Sequence, residues 1–178
     1  KGDIRKIYAQ GEVFLEVAHD KKHPFIVESD DFKLQVLGTK FNISNYKGGA
    51  TNIVLVEGAV EVTDKNEKKA RLNPNDLLNI ANGTIAYQKQ VDVAEYISWV
   101  EGIMLLNGND LSQIIQRLSI YYGISIQCDP IIGKEKVYGK LDLKDDIDEV
   151  IECIQQTLPF TIEKSDTSIS VSYTHLRA

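Results

Sequence analysis

The last third of the chain contains the same pattern twice, 36 residues apart. Asp110 and Leu111 recur as Asp146 and Ile147, and the apolar positions that follow recur at the same spacing. Each copy has a short apolar strand, an acidic helix start, a helix with one apolar face and an alternating strand. The pattern predicts a βαβ unit that is used twice. This duplication makes the C-terminal part a small α+β module and favours a binding domain over a catalytic one.

Both predicted helices begin with residues that can cap them. Asn109 or Asp110 can cap the first helix and Asp145 or Asp146 the second, because a side-chain oxygen there accepts a bond from an otherwise unpaired amide. The strands that follow the helices alternate apolar with polar residues. We therefore expect the two helices to cover one face of a small sheet whose other face is polar, and residues 163–171 to add a final hairpin.

The first part of the chain, residues 4–96, has a different rhythm. Apolar and polar residues alternate there, as in Val13, Leu15 and Val17, and such runs recur about every ten residues between turns rich in Gly, Asn, Asp and Pro. This pattern predicts an antiparallel β-sandwich or a jelly-roll-like barrel. Gly58 separates two apolar strands and is expected in a tight hairpin or at a bulge.

The change of rhythm near residues 93–100 predicts the domain boundary. We expect an all-β domain over residues 1–97 and a duplicated βαβ domain over residues 98–172. The last residues, 173–178, have no pattern and are expected to be frayed or foreign to the domain. The predicted fold class is therefore mainly β plus α+β.

Charge and length limit the kinds of partner. The net charge of −6 argues against a nucleic acid or an anionic membrane, since both require a basic face. Residues 98–178 carry 12 acidic and 7 basic side chains, so the acidity belongs to the repeat module. No apolar stretch is long enough for a membrane helix. The chain begins at Lys1 without a signal peptide, so we expect a soluble fragment, and any anchor or targeting segment would lie upstream.

Candidate groups for catalysis or metal binding are few. His19 and His23 lie in a lysine-rich segment typical of a turn, so a solvated loop is favoured over a metal site. The acidic run at residues 142–149 lacks the ligand spacing of a calcium loop, and helix capping explains it. Cys128 and Cys153 form no metal motif and are expected to be free, partly buried thiols. In an oxidising compartment, a disulfide between them is the alternative. The sequence also lacks nucleophile and phosphate-binding motifs, so it predicts no enzyme, no metal and no cofactor.

The opening strand of the first repeat copy is apolar on both faces. Alignment of the two copies places Leu105 with Leu141, facing the helices, so Met104 and Leu106 are expected to point to the opposite face. A strand that is apolar on both sides is normally covered on both sides. Met104 and Leu106 are therefore expected either to pack against the β domain or Trp99, or to form a partner-binding patch.

Several phrases of the β half resemble a known family. The segment Val36-Leu37-Gly38-Thr39-Lys40-Phe41-Asn42-Ile43 is followed by Val56-Glu57-Gly58-Ala59-Val60 and by Leu72-Asn73-Pro74-Asn75-Asp76. In this order they closely resemble the FecR family of sigma-factor regulators. From Trp99-Val100-Glu101-Gly102 through the double repeat, the second half resembles the C-terminal domain often fused to this family in Bacteroidetes. That half is also similar to the short N-terminal domain of secretins and TonB-dependent receptors.

The resemblance implies an anti-sigma regulator that crosses the inner membrane once. A cytoplasmic segment of such a protein holds an extracytoplasmic-function (ECF) sigma factor. Its periplasmic part senses the signalling domain of an outer-membrane TonB-dependent transporter loaded with substrate, often a siderophore or, in Bacteroidetes, a glycan. This chain would be the periplasmic part, without the anti-sigma segment and the anchor.

Two contact modes with that transporter are expected: strand addition at the edge of the small sheet, and the face that bears Met104 and Leu106. The alternative function is a non-catalytic carbohydrate-binding β-sandwich protein, which should have aromatic side chains clustered on one exposed strand face. Tyr8, Tyr46 and Tyr87 are scattered in the sequence of the β half. A jelly-roll enzyme is disfavoured because metal ligands are lacking.

Overall fold

The computed structural model describes residues 5–46, 49–165 and 168–173, apart from the side chain of residue 173. Contacts between Cα atoms divide the chain into two compact units, Lys1–Ile97 and Ser98–Ala178. The division lies within the stretch where the sequence changes rhythm. The chain is mainly β-strand with few helices.

The described part of the N-terminal unit consists of short strands followed by one helical turn. Its elements are β1 (Arg5–Tyr8), β2 (Gly11–Val17), β3 (Phe25–Glu28), β4 (Phe32–Val36), β5 (Thr39–Asn45), β6 (Thr51–Glu57), β7 (Val60–Asp64), β8 (Lys69–Leu72), β9 (Asp76–Ala81), β10 (Thr84–Gln90) and α1 (Ala94–Ile97).

Two sheets enclose the core of this unit. One has the strand order β1-β3-β4-β7-β8 and the other β10-β9-β6-β5-β2. The pairs are antiparallel except β1 with β3, which run parallel. In β4 the buried residues Phe32, Leu34 and Val36 alternate with exposed ones, as expected where one sheet face is buried. Apolar residues of both sheets form one cluster, so the unit is a sandwich: Val27, Phe32, Leu34, Val36, Phe41, Ile43, Ile53, Leu55, Val60, Val62, Leu72, Leu78, Ile80 and Ile85.

Gly58 lies where the chain passes from one sheet to the other. The expected hairpin or bulge is wrong, because β6 and β7 belong to different sheets and do not pair. Gly58 has φ +93°, and a Cβ atom there would lie 2.8 Å from the carbonyl oxygen of Gly38. Gly38 belongs to a second crossing, from β4 to β5. The absence of a side chain at Gly58 therefore lets the two crossings pack together.

The buried carboxylate of Asp64 connects separate segments of the N-terminal unit. Asp64 is only 4% exposed. Its carboxylate accepts bonds from the backbone amides of Ile85 at 3.0 Å, Asn66 at 2.8 Å and Lys68 at 3.0 Å. These bonds, that of Ile85 first, lower the pKa of Asp64 below its ordinary value. Asp64 thus joins the β7–β8 turn to the start of β10.

The C-terminal unit contains both repeat copies. Within the described residues it comprises a 3-10 helix (Ser98–Glu101), β11 (Ile103–Asp110), α2 (Leu111–Tyr122), β12 (Ser125–Cys128), a second 3-10 helix (Ile132–Lys134), β13 (Lys136–Asp142), α3 (Ile147–Gln155), β14 (Phe160–Lys164) and β15 (Ser168–Tyr173). Each copy supplies a strand, a helix and a strand. The predicted final hairpin is confirmed, since β14 and β15 pair antiparallel.

The strands of this unit form two sheets, which differs from the single sheet expected. β11 pairs antiparallel with β13, its counterpart in the other copy, and β15 lies between β12 and β14. The three-stranded sheet has an exposed polar face that includes Ser125, Gln127, Thr161 and Glu163. One core cluster joins the sheets and helices: Met104, Leu106, Leu111, Ile114, Ile115, Leu118, Ile132, Val137, Leu141, Leu143, Val150, Ile151, Ile154, Phe160, Ile169 and Val171.

The two helices differ in how their N-termini are capped, and the C-terminal tail differs from its prediction. Asp146 caps α3, as predicted, by accepting a 2.9 Å bond from the amide of Asp148. Asp110 occupies the N-cap position of α2 but makes no side-chain cap bond; its carboxylate lies 2.7 Å from Nζ of Lys136. The predicted tail begins at Tyr173, but this residue belongs to β15, and its backbone pairs with Phe160 of β14. The rest of the tail, 174–178, lies outside the described residues.

Candidate partner-binding site

Met104 and Leu106 lie on the inner side of the antiparallel pair formed by β11 and β13, here called the β11–β13 ribbon. Met104 pairs with Leu141, and Leu106 pairs with Gly139. Met104 is 2% exposed and Leu106 is 6% exposed, and both belong to the core of the C-terminal unit together with Leu141. The prediction that they point away from the helical core is therefore wrong.

A β-bulge explains why the orientation is reversed. Asn107 pairs with Tyr138 and Asn109 with Val137, so Gly108 is an extra residue in β11. Its φ of +75° is the left-handed conformation typical of a glycine bulge. Because side chains alternate along a strand, one extra residue moves every preceding side chain to the other face. Met104, rather than Leu105, thus takes the inward position that corresponds to Leu141.

The outer side of the ribbon consists of the remaining alternate positions. Ile103, Leu105 and Asn107 of β11 lie opposite Asp142, Lys140 and Tyr138 of β13. Ile103 and Leu105 are partly buried, whereas Lys140 is exposed and Tyr138 is 66% exposed. The Tyr138 ring passes over the bulge, and a Cβ atom on Gly108 would lie 3.0 Å from Oη of Tyr138. The ribbon therefore combines a buried inner side with an accessible outer side on β13.

Sequence reasoning missed Tyr138 and Lys140. The signal for them was present, because Lys136, Tyr138 and Lys140 occupy alternate positions before the second predicted helix. The polar side of this strand is predicted to face solvent, as the polar faces of most surface strands do. An exposed tyrosine on a strand edge is the kind of side chain that supplies binding energy in protein interfaces.

The described thiols and histidines have local surroundings that account for their states. Cys128 and Cys153 are free, as predicted, but Cys153 is exposed rather than partly buried. Burial, and secondarily the charge of Asp129, raises the pKa of the Cys128 thiol. His23 lies in an exposed loop, where its Nδ1 is 2.8 Å from Oδ2 of Asp20. This contact is the main cause of the lowered pKa of Asp20.

Across the described residues, His, Cys, Asp and Glu side chains form no group of three or more that could hold a metal ion. In the same part of the chain, every helix is too short or too polar to form a transmembrane segment.

The tyrosines of the N-terminal unit do not form a stacking surface. Tyr8 lies on β1 of one sheet and Tyr87 on β10 of the other. The hydroxyl of Tyr46 donates a 2.6 Å bond to Glu12. Tyr121 and Tyr122, whose rings pack edge to face, lie in the C-terminal unit. The clustered aromatics expected of a carbohydrate-binding sandwich are thus not found in the described part of the N-terminal unit.

Comparisons with known proteins match both units. The FecR protein family model matches residues 2–61, and the model of the FecR C-terminal domain matches residues 103–171. A search of curated protein sequences gave no match.

Solved structures show a similarity that extends over nearly the whole chain. Two crystal structures of a candidate anti-sigma factor from Parabacteroides distasonis ATCC 8503, at 1.65 and 2.50 Å resolution, are similar to it with a TM-score of 0.81 and 29% sequence identity. The similarity covers 96% and 97% of this chain and 81% and 82% of theirs. With two family models matched in the expected order, the resemblance is confirmed, and the chain belongs to the FecR family of anti-sigma regulators.

Proposed function

We propose that this chain is the periplasmic sensor part of a single-pass inner-membrane anti-sigma regulator. It binds the signalling domain of an outer-membrane TonB-dependent transporter and relays the substrate status of that transporter to an ECF sigma factor. The sigma factor is held by a cytoplasmic segment of the same regulator. In this proposal the chain acts by binding and has no catalytic role.

The observation that carries the proposal is the order of the two family matches, FecR over residues 2–61 and FecR C-terminal over residues 103–171. The architecture of the C-terminal unit also supports the proposal. It places two helices in one core with a two-stranded and a three-stranded sheet, and both sheets have open edges among the described residues. A likeness of this unit to the short N-terminal domain of secretins and TonB-dependent receptors is part of the same proposal.

The C-terminal unit supplies the partner contact in this proposal. Met104 and Leu106 were expected either to pack against the β domain or Trp99 or to touch the partner, but both are buried in the unit's own core. Their role is to hold β11 against the helices, so that the outer side of the ribbon is presented in one position. Contact with the transporter then falls to residues of the outer side and to strand edges.

A binding measurement tests the proposal. The chain is titrated with the purified signalling domain of the TonB-dependent transporter encoded beside its gene, and heat is measured by calorimetry. We expect saturable one-to-one binding, and hydrogen-exchange protection within residues 103–171. The signalling domain of a different transporter, encoded in an unrelated gene cluster, serves as the control and should bind more weakly.

Two results would contradict the proposal. One is the absence of heat and of exchange protection with the cognate domain. The other is tight binding of an oligosaccharide to residues 1–97, which would support the carbohydrate-binding alternative. A reporter for the sigma factor gives an independent readout, because deletion of residues 103–171 from the complete regulator should make the reporter insensitive to the transporter's substrate.

A further inference from the structure

We propose that the free edge of β13 receives an extended acidic segment of the partner as an added strand, with Tyr138 and Lys140 as its anchors. This inference rests on the proposed function and specifies where and by what chemistry the C-terminal unit binds. It comes from the direction of the backbone groups in the β11–β13 ribbon, the exposure of β13 and the distribution of charge along it.

The hydrogen-bond pattern shows which backbone groups of β13 face outward. The amide of Leu143 donates a 2.7 Å bond to the carbonyl of Gly102, so these residues form a hydrogen-bonded antiparallel pair. Such pairs recur at every second residue, which places Leu141 and Gly139 in the pairs directed towards β11. The amides and carbonyls of the alternate residues, Tyr138 and Lys140, therefore point to the open edge of the ribbon.

The edge of β13 is the most accessible edge of the ribbon. Its residues Lys136, Tyr138, Gly139, Lys140 and Asp142 are all exposed. On the outer side of β11, Ile103 and Leu105 are partly buried, and the 3-10 helix before that strand packs against it. An extended peptide can use such an edge because its backbone groups continue the ladder of hydrogen bonds.

The other open edges of the unit suit an added strand less well. β12 is only 4 residues long. β14 follows Pro159, and Lys164 at its end is bound to Asp148 at 2.6 Å. β13 offers 7 residues.

Gly139 leaves room for a side chain of the added strand. A Cβ atom built on Gly139 would meet nothing within 4 Å, and φ at this residue is +131°. Glycine inside a strand often marks a place where another backbone approaches closely. Since Gly139 lies opposite Leu106 on the inner side of the ribbon, an apolar side chain of the partner fits beside it.

Charge complementarity selects an acidic segment. Lys136 and Lys140 flank Tyr138 on the outer side, and Asp142 occupies the next outer position. Lys136 is bound to Asp110 at 2.7 Å, whereas Lys140 forms no ion pair with another described residue. A carboxylate of the partner opposite Lys140 would form a cross-strand ion pair. A second copy of the chain is disfavoured, because antiparallel pairing about Tyr138 would place Lys136 opposite Lys140.

The test uses the whole chain and the cognate transporter's signalling domain, with Kd measured by calorimetry. We expect Lys140→Glu and Tyr138→Ala each to weaken binding by about tenfold or more. The matched control is Lys134→Glu, which makes the same charge change at an exposed lysine outside the strand and should change Kd by less than about threefold. Both anchors are exposed, so the variants should fold, and Trp99 fluorescence checks this.

Hydrogen exchange distinguishes an added strand from side-chain contact alone. The amides of Tyr138 and Lys140 should exchange more slowly in the complex than in the free chain. Unchanged Kd for both variants, or no protection at these amides while the wild-type chain binds, would overturn the inference and leave the proposed function standing. A β13-dependent homodimer in sedimentation would also overturn it. Failure of the wild-type chain to bind the signalling domain would overturn both.

Discussion

Truncation of Met104 tests the orientation of β11. Met104 is 2% exposed and packs in the core of the C-terminal unit, whereas its neighbour Leu105 is only partly buried. Replacing a fully buried Met with Ala removes apolar contacts and leaves a cavity, which costs about 2–5 kcal/mol of unfolding free energy. Replacing Leu105 with Ala removes less buried area and should cost about 1 kcal/mol. The predicted order of destabilisation is therefore Met104→Ala above Leu105→Ala.

The chain carries a local probe for this measurement. Trp99 is its one tryptophan and packs against the same core cluster. Its fluorescence during urea unfolding reports the C-terminal unit, even if the N-terminal unit unfolds at a different concentration. Leu106→Ala provides a second inward position and should behave like Met104→Ala.

The opposite order would refute the bulge-based orientation. If Leu105→Ala destabilised the C-terminal unit more than Met104→Ala, then Leu105 would occupy the inward position that gap-free alignment of the repeats gives it. Deleting Gly108 should place Leu105 inward and expose Met104, so this variant should unfold at a much lower urea concentration than the wild-type chain.

Three further predictions concern single side chains. Asp64→Asn should destabilise the N-terminal unit near neutral pH. Because the folded-state pKa of Asp64 lies below its ordinary 3.8, the carboxylate's contribution is complete above that value and is lost as pH falls through the folded-state pKa. Hydrogen exchange of residues 60–90 at several pH values should therefore show the difference from wild type shrinking in acid. Asp146→Ala should cost α3 about 1 kcal/mol in urea unfolding, and Asp145→Ala, which removes no cap bond, should cost less. Iodoacetamide should modify exposed Cys153 before Cys128, whose pKa is raised, and peptide mass spectrometry would show the reverse order if this is wrong.

Local features of the fold were predictable from the sequence. The alternation of apolar and polar residues predicted the inward residues of β4, and the acidic helix start predicted the cap at Asp146. Both features depend on neighbouring residues in the sequence. The repeat gave the order of strand, helix and strand in each copy. These features arise from side-chain period and from hydrogen bonds within a few residues.

Long-range pairing was not predictable in the same way. The passage of the chain between sheets at Gly58, and the insertion of β15 between β12 and β14, depend on contacts between distant segments. The bulge at Gly108 depends on how β11 meets β13, and it reversed the assignment of Met104 and Leu106. The position of Tyr138 and Lys140 on the accessible side of the ribbon depends on that same pairing.

The bulge at Gly108 also bears on how a duplicated segment can diverge. Two copies of one sequence that keep the same spacing place the same positions inward. One additional residue in the first copy removes that equality without altering the helix that follows. The strand of that copy then contributes apolar side chains to the core, while its counterpart keeps a polar, accessible edge whose residues can be substituted without disturbing the interior.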